Sequence, residues 1–553
     1  MPDDERRSPF WAWPLAALLL LGFWQRVDGL TRQIPGGDEI HALRNALEDS
    51  YGTLLTTFTT AATPLLALVY KLIGEAKPLD ELLLRLPILF FGLLIPWLLP
   101  LQLPRVAEDG DGDRYLRWLF AALLALSPVL VFYSRFARPY APALLFAALA
   151  VLAFCRWHLE ERPGVPRLYL FSAAFAGAWH STTVPAVLAP LVWAFFDRLA
   201  TRRGQSLPRL FLFGFLAGLL VTLPLALPLF YDWNSLFHRA GTHQATLLTL
   251  RELVPLLAGT GSWIVACMAA LLVVLGAVRL SRLAPRFACC LGTVALVACI
   301  ATWLSQANSV QTPIVFLRYS LILQPIFLLL AAAGVVLPLR AAPRPLAAAV
   351  VAVPVLAYLA GPLPSSLGRV GSFSNHPHYQ YAYSEKATFS FTRRPIDGSD
   401  FYRQLEKRSP GSLVIAEAPY HFQFTYNTFV YSQERHQQWV EGGLLGELCF
   451  QKGAFRLPAG GRQTAFDTLV DISRKEDLLR QGVDLVIFHH DLAAETARAE
   501  STGVFTPAPR FGPDSDLAAC VPLYTERLGK PIYQDRWVTV FDVSGRFVLG
   551  AAS

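Results

Sequence analysis

The 553-residue chain is 54% hydrophobic and only 16% charged, with a mean hydropathy of +0.39. Soluble chains carry about a quarter charged residues, so a wholly water-soluble fold is excluded. The formal net charge of +7 does not point to a nucleic-acid partner, because the arginines fall in short clusters between apolar runs, the pattern that encodes membrane topology.

The first apolar run, 10–25, follows the charged start Asp3-Asp4-Glu5-Arg6-Arg7 and lacks a small-x-small cleavage pattern, so a retained helix is expected rather than a removed signal peptide. Further runs long enough, or nearly so, to cross roughly 30 Å of hydrocarbon fall at 82–103, 117–133, 140–157, 168–180, 184–197, 210–230, 261–280, 287–305, 319–338 and 345–361. The expectation is a multi-pass α-helical membrane protein with about eleven transmembrane helices in residues 1–361 and a first outer loop over about 26–79. With a cytoplasmic N-terminus, the inner loops hold Arg105, Arg114 and Arg117, then Arg156, Arg162 and Arg167, then Arg198, Arg202, Arg203 and Arg209, then Arg279, Arg282 and Arg286, then Arg340 and Arg344. Arginine-rich short loops stay inside. An odd helix count then places the tail outside, which fits a bacterial inner membrane.

Beyond Gly361-Pro362-Leu363-Pro364 the composition turns polar. Short β-like runs at 413–416, 483–488 and 537–543, with a helical stretch at 466–480, predict a soluble extracytoplasmic α/β domain over 362–553. Cys155, Cys267, Cys289, Cys290 and Cys299 lie in or beside apolar spans and read as packing. Cys449 and Cys520 are the only two in the tail, and spacing leaves open whether they pair.

Candidate chemistry lies at the outer helix ends. Asp38 and Glu39 close Pro35-Gly36-Gly37-Asp38-Glu39; adjacent carboxylates there suit a base, although Asp38 also reads as the cap of a helix beginning at Glu39. Ser134-Arg135-Phe136-Ala137-Arg138-Pro139-Tyr140 places two arginines against the positive-inside trend, where a guanidinium either matches a phosphate or snorkels to headgroups. Arg318-Tyr319 repeats the pairing of cation and aromatic, and His180-Ser181-Thr182 lies on the same side.

In this order, Asp38-Glu39, Leu84-Arg85-Leu86-Pro87, Ser127-Pro128, Ser134 to Tyr140, His180-Ser181-Thr182, and Arg318-Tyr319 with Pro325 resemble the GT-C superfamily of membrane glycosyltransferases. The branch is that of protein O-mannosyltransferases and lipid A aminoarabinose transferases, and the likeness covers about the first 360 residues. The resemblance implies transfer of a hexose or pentose from a polyprenyl-phosphate carrier to a protein, lipid or glycan acceptor on the extracytoplasmic face. Asp38 would then be the general base and Glu39 its orienting partner. Arg138 and Arg318, with Arg135, Tyr140 and Tyr319 beside them, would bind the donor phosphate, and His41, His180 and His243 would be further substrate-site candidates. The chain departs from the aminoarabinose transferases in three places. Ala61-Ala62-Thr63-Pro64-Leu65 stands where they carry Glu-Lys-Pro-Pro-Leu, Arg138 replaces an acidic residue, and His41 replaces an arginine. The first change removes a carboxylate that can hold a divalent metal ion, leaving His243 and Glu252 as possible ligands. A lipid or solute transporter, and a scaffold whose tail binds a partner through Tyr420, Phe422, Tyr426, Tyr431 and Trp439, are the other two readings.

Overall fold

The computed structural model describes residues 12–27, 30, 39, 42, 45–46, 49–58, 64–76, 81–106, 110–162, 165–201, 207–234, 244–260, 263–307, 310–311, 313–336, 399–418, 436, 438–441, 475–480, 482–489 and 521–547. The chain packs as two units: one of Met1–Asp28, Gly52–Leu66 and Leu86–Pro364, the other of Gly29–Tyr51, Ala67–Arg85 and Ser365–Ser553.

The first unit is helical. Its elements include α1 (Ala12–Val27), most of α3 (Glu81–Gln102), α4 (Gly110–Leu126), α5 (Pro128–Arg135), α6 (Tyr140–Leu159), α7 (Arg167–Trp179) and α8 (Val184–Ala200), whereas most of α2 (Pro64–Ala76) belongs to the other unit. They continue with α9 (Leu207–Thr222), α10 (Leu247–Ala258), α11 (Trp263–Leu283), α12 (Pro285–Ser305), α13 (Pro313–Tyr319) and α14 (Leu323–Val336). Among the described residues, 6 helices are long and apolar enough to span a bilayer, or up to 8 if each bent pair is one span. Phe215 and Ile264 expose 69% and 76% of their surface, which hydrocarbon tolerates and water does not. The chain is a multi-pass helical membrane protein. The predicted runs 10–25 and 168–180 correspond to α1 and to the 13-residue α7, and 345–361 lies outside the described residues.

Two predicted spans are broken. Pro128 has no N–H and ends α4, so the chain turns by 55° into α5. Pro325 bars a helix from running through Leu321, and 91° separate α13 from α14. Pro325 itself sits in the first turn of α14, where a missing N–H costs nothing. Close contact between α11 and α14 depends on Gly276 and Gly334. A Cβ on the first would run into the Leu330 carbonyl and on the second into the Leu272 carbonyl.

The second unit contains α15 (Phe401–Glu406), β1 (Val414–Ala418), β2 (Trp439–Glu441), α16 (Lys475–Arg480), β3 (Leu485–His489), α17 (Val521–Leu528), β4 (Tyr533–Gln534) and β5 (Val538–Asp542). Its sheet has the order β2-β1-β3-β5-β4, with β1 parallel to β2 and β3, and β5 antiparallel to β3 and β4. Ala416, Val486, Phe488 and Phe541 form one core with Leu478 of α16 and with Leu523, Tyr524 and Leu528 of α17. Strand alternation turns Glu417 and His489 to the other face. The three predicted β-runs are β1, β3 and β5. The predicted helix 466–480 is described only over Lys475–Arg480.

Candidate functional site

The break at Ser127-Pro128 sends α5 to Arg135, and after a short turn Pro139 leads into α6 at Tyr140. Tyr140, Ala143, Leu144 and Ala147 recur at helical spacing, so they form one stripe of α6. That stripe lines a pocket together with His180, Thr182 and Thr183, with Ala186 of α8 and Ala298 of α12, and with Arg318, Tyr319, Leu321 and Ile322 around the bend from α13 to α14. One wall is alanine, leucine and isoleucine. The other is cationic and aromatic, and no Asp or Glu lines it among the described residues.

The guanidinium carbon of Arg318 lies 5.8 Å from the Tyr140 ring centre and 5.2 Å from that of Tyr319. Arg138 lies 5.9 Å from the same Tyr140 ring. Tyr140 thus holds two cations by its π face. The His180 ring packs 5.3 Å from Tyr140 and 6.2 Å from Tyr319. The Thr182 N–H points at His180 Nδ1 from 3.4 Å, so Nδ1 accepts and Nε2 carries the proton of a neutral ring. His180 is 2% exposed, and its Nε2 has no hydrogen-bond partner among the described residues. Nε2 is thus a donor without a described acceptor, on a residue of the pocket lining.

Of the expected phosphate-site residues, Arg138, Tyr140, His180, Arg318 and Tyr319 come together. Arg135 turns elsewhere, donating from Nη1 to the Gln25 carbonyl at the end of α1 at 2.5 Å. In the other unit, Glu39 is fully buried and takes a two-pronged ion pair from Arg85, with Nε to Oε1 at 3.1 Å and Nη2 to Oε2 at 3.0 Å. Arg85 also donates to the Leu30 carbonyl at 2.6 Å. Asp38, His41, His243, Ala61 to Thr63, Cys449, Cys520, Tyr420, Phe422, Tyr426 and Tyr431 lie outside the described residues.

Among the described residues no three His, Cys, Asp or Glu side chains converge as metal ligands, and Glu252 pairs with Arg251 at 3.2 Å.

The chain is similar to solved structures that include the following two. One is the crystal structure of ArnT from Cupriavidus metallidurans bound to undecaprenyl phosphate, at 16% identity and a TM-score of 0.43, covering 97% of this chain and 98% of that one. The other is the apo state of the same protein, at 16% identity and a TM-score of 0.44, covering 96% and 98%. No family model matches the chain, and no curated protein matches it.

Several buried polar residues were missed by the sequence reading. Arg26 closes α1 and donates to the carbonyls of Leu124 at 3.1 Å, Ala125 at 2.5 Å and Gly22 at 2.8 Å, and to Ser134 Oγ at 3.2 Å. Leu124 is four residues before Pro128, whose missing N–H would have served it. The only sequence signal was that proline. At the far end of α6, His158 and Arg286 both bind Asp197, the former at 2.8 Å and the latter through two bonds of 2.9 and 2.7 Å. The three residues come from the ends of α6, α8 and α12 that the arginine pattern put on one side. In the second unit, Tyr402 donates to Glu417 at 2.9 Å, and His489 lies 2.6 Å from the same carboxylate. A charged residue inside the apolar run Val414-Ile415-Ala416-Glu417-Ala418 was the available clue.

Proposed function

We propose that the protein is a GT-C type glycosyltransferase that takes a hexose or pentose from a polyprenyl-phosphate carrier and passes it to an acceptor at the extracytoplasmic face of a bacterial inner membrane. The observation that carries this reading is the two-sided pocket. Arg318, His180, Tyr319 and Tyr140 line its polar wall, Arg138 sits across the same Tyr140 ring, and an apolar wall of alanines with Leu144, Leu321 and Ile322 completes it. A phosphate with an isoprenoid tail has that division of chemistry.

A sugar-linked polyprenyl phosphodiester carries one negative charge, and the departing polyprenyl phosphate carries up to two. A pair of guanidiniums therefore binds the leaving group more tightly as the bond from the anomeric carbon to the phosphate oxygen breaks. The electron pair stays on that oxygen, so no general acid is needed. The acceptor hydroxyl attacks the opposite face, its proton passing to the Asp38 carboxylate, and the anomeric centre inverts. Glu39, locked to Arg85, orients the segment that carries Asp38. His180 donates to a phosphate oxygen from Nε2, and His41 and His243 are further substrate-site candidates. The tail of 362–553 is extracytoplasmic in this scheme.

The test has two arms. In nanodiscs, the parent protein should bind undecaprenyl phosphate more tightly than undecaprenol, and Arg318→Met should lose about tenfold or more of that preference, the worth of a hydrogen bond to a charged group. In membranes, Asp38→Asn should abolish transfer of labelled sugar from polyprenyl-phosphate donors while leaving lipid binding intact. Equal binding of phosphate and alcohol by the parent would refute the pocket assignment. Full transfer by Asp38→Asn would refute the base, and parent protein inert with every donor would return the transporter and scaffold readings.

A further inference from the structure

Arg318 of the pocket lining and Arg138, which shares its Tyr140 ring, stand next to the two helix breaks, and one side chain joins those breaks. Gln324 is the second residue of α14 and is fully buried. Its Nε2 donates to Ser127 Oγ at 3.2 Å and to the Leu257 carbonyl of α10 at 3.0 Å. Its Oε1 has no partner among the described residues, so the amide serves here as a two-pronged donor. The carbonyl of Leu257 requires the nitrogen on that side, which fixes the amide's orientation.

Ser127 is the cap of α5, accepting from the Leu130 N–H at 3.5 Å, and α5 leads to Arg138 and Tyr140. On the other side, Leu321 and Ile322, both in the pocket lining, and Arg318 and Tyr319 immediately precede Gln324. Ordinary helix bonds are interrupted at both breaks. The Gln324 to Ser127 bond is therefore a direct tie between the segment that presents Arg138 and the segment that presents Arg318.

We infer that Gln324 is a positioning residue that sets the separation of the two guanidiniums and so tunes the pocket for a phosphate group. The inference rests on the donor-lipid reading of the pocket for its functional half, and on geometry alone for its structural half. A lone polar residue in an apolar helix is expensive unless it holds something in place, and here it spans two otherwise separate bends.

The experiment uses the full-length protein in nanodiscs, with Gln324→Met, which keeps the volume and removes the donor, and with Ser127→Ala and Ser127→Thr. Hydrogen exchange reads the tie directly. Gln324→Met should raise exchange at least threefold in both 127–139 and 313–323, Ser127→Ala should do so more weakly, and Ser127→Thr should restore the parent pattern. Binding reads the consequence: the preference for undecaprenyl phosphate over undecaprenol should fall about tenfold in Gln324→Met, with undecaprenol affinity unchanged. General destabilisation would lower both affinities together. Faster exchange confined to α14, or an unchanged phosphate preference, overturns the inference. A parent protein with no phosphate preference overturns the donor-lipid reading, and the exchange pattern still decides whether Gln324 couples the bends.

Discussion

Replacing Arg26 by methionine tests how the first unit tolerates a broken helix inside the membrane. The substitution keeps the length and apolar stem of the side chain and deletes the donors that reach Leu124, Ala125, Gly22 and Ser134. Gly22 keeps its carbonyl within α1, but Leu124 and Ala125 sit where Pro128 has interrupted the ladder. An unsatisfied buried acceptor costs about 1–3 kcal/mol, so two cost about 2–6 kcal/mol. Relief from burying a guanidinium offsets part of this, which places the net loss near the lower figure. At about 2–4 °C per kcal/mol for a mid-sized domain, the melting temperature should fall by roughly 4–8 °C. The assay is thermal unfolding of the detergent-solubilised protein with a thiol-reactive dye. The exposed Cys267 and Cys289 are blocked first, so that the buried Cys155 and Cys290 report opening. Adding Pro128→Ala returns an N–H opposite Leu124, and the double variant should recover part of the loss. An unchanged melting temperature in Arg26→Met, or additive losses in the double variant, would show that the guanidinium is not substituting for the proline's missing donor.

Three further outcomes are expected. Glu39→Gln or Arg85→Met alone should destabilise by about 3–5 kcal/mol, the cost of orphaning a buried charge, whereas the double variant should lose much less; a double-mutant cycle in urea measures the coupling. Ala147→Leu should fill the apolar wall and weaken both undecaprenyl phosphate and undecaprenol in nanodisc titrations, unlike Arg318→Met, which should spare the alcohol; equal effects of the two would contradict the two-sided pocket. Burial pushes His436 down to about 3 from 6.5, so the unfolded chain binds the proton first. Stability of the second unit is full above about pH 6.5 and declines by up to about 1.4 kcal/mol per unit as the pH falls toward 3. Burial raises the Asp535 carboxyl, but hydrogen bonds from Ser399, the Val538 and Trp537 N–H groups and Tyr533 outweigh it and lower it, which adds to the same acid loss. Pulse proteolysis of a C-terminally tagged protein should show a flatter pH dependence in His436→Gln, and an unaltered slope would refute the assignment.

Long apolar runs announced the spans, and β-branched and aromatic runs announced β1, β3 and β5, because both signals are written in consecutive residues. The strands β2 and β4, of 3 and 2 residues, are too short to carry a period and take their form from the partners beside them. In the candidate site, Arg138, Tyr140, His180, Arg318 and Tyr319 were legible as polar groups at helix ends that the arginine pattern put on one side. Their separation from Arg135 was not, since two arginines three residues apart look alike until the turn at Phe136 to Arg138 directs them differently. Arg26 and Gln324 escaped because their partners are largely backbone carbonyls, which leave no mark in a sequence beyond a distant proline.

Helix α6 is fastened at both ends, by the aromatic and cationic cluster around Tyr140 and by the His158, Asp197 and Arg286 cluster. Eighteen residues separate Tyr140 from His158, about 27 Å at 1.5 Å per residue. That span can neither tilt freely nor slide when the surrounding bilayer thickens, because each end would drag a charged cluster into hydrocarbon. This fastening predicts a match to one membrane thickness: reconstitution into lipids of graded acyl length should find a single optimum rather than a plateau.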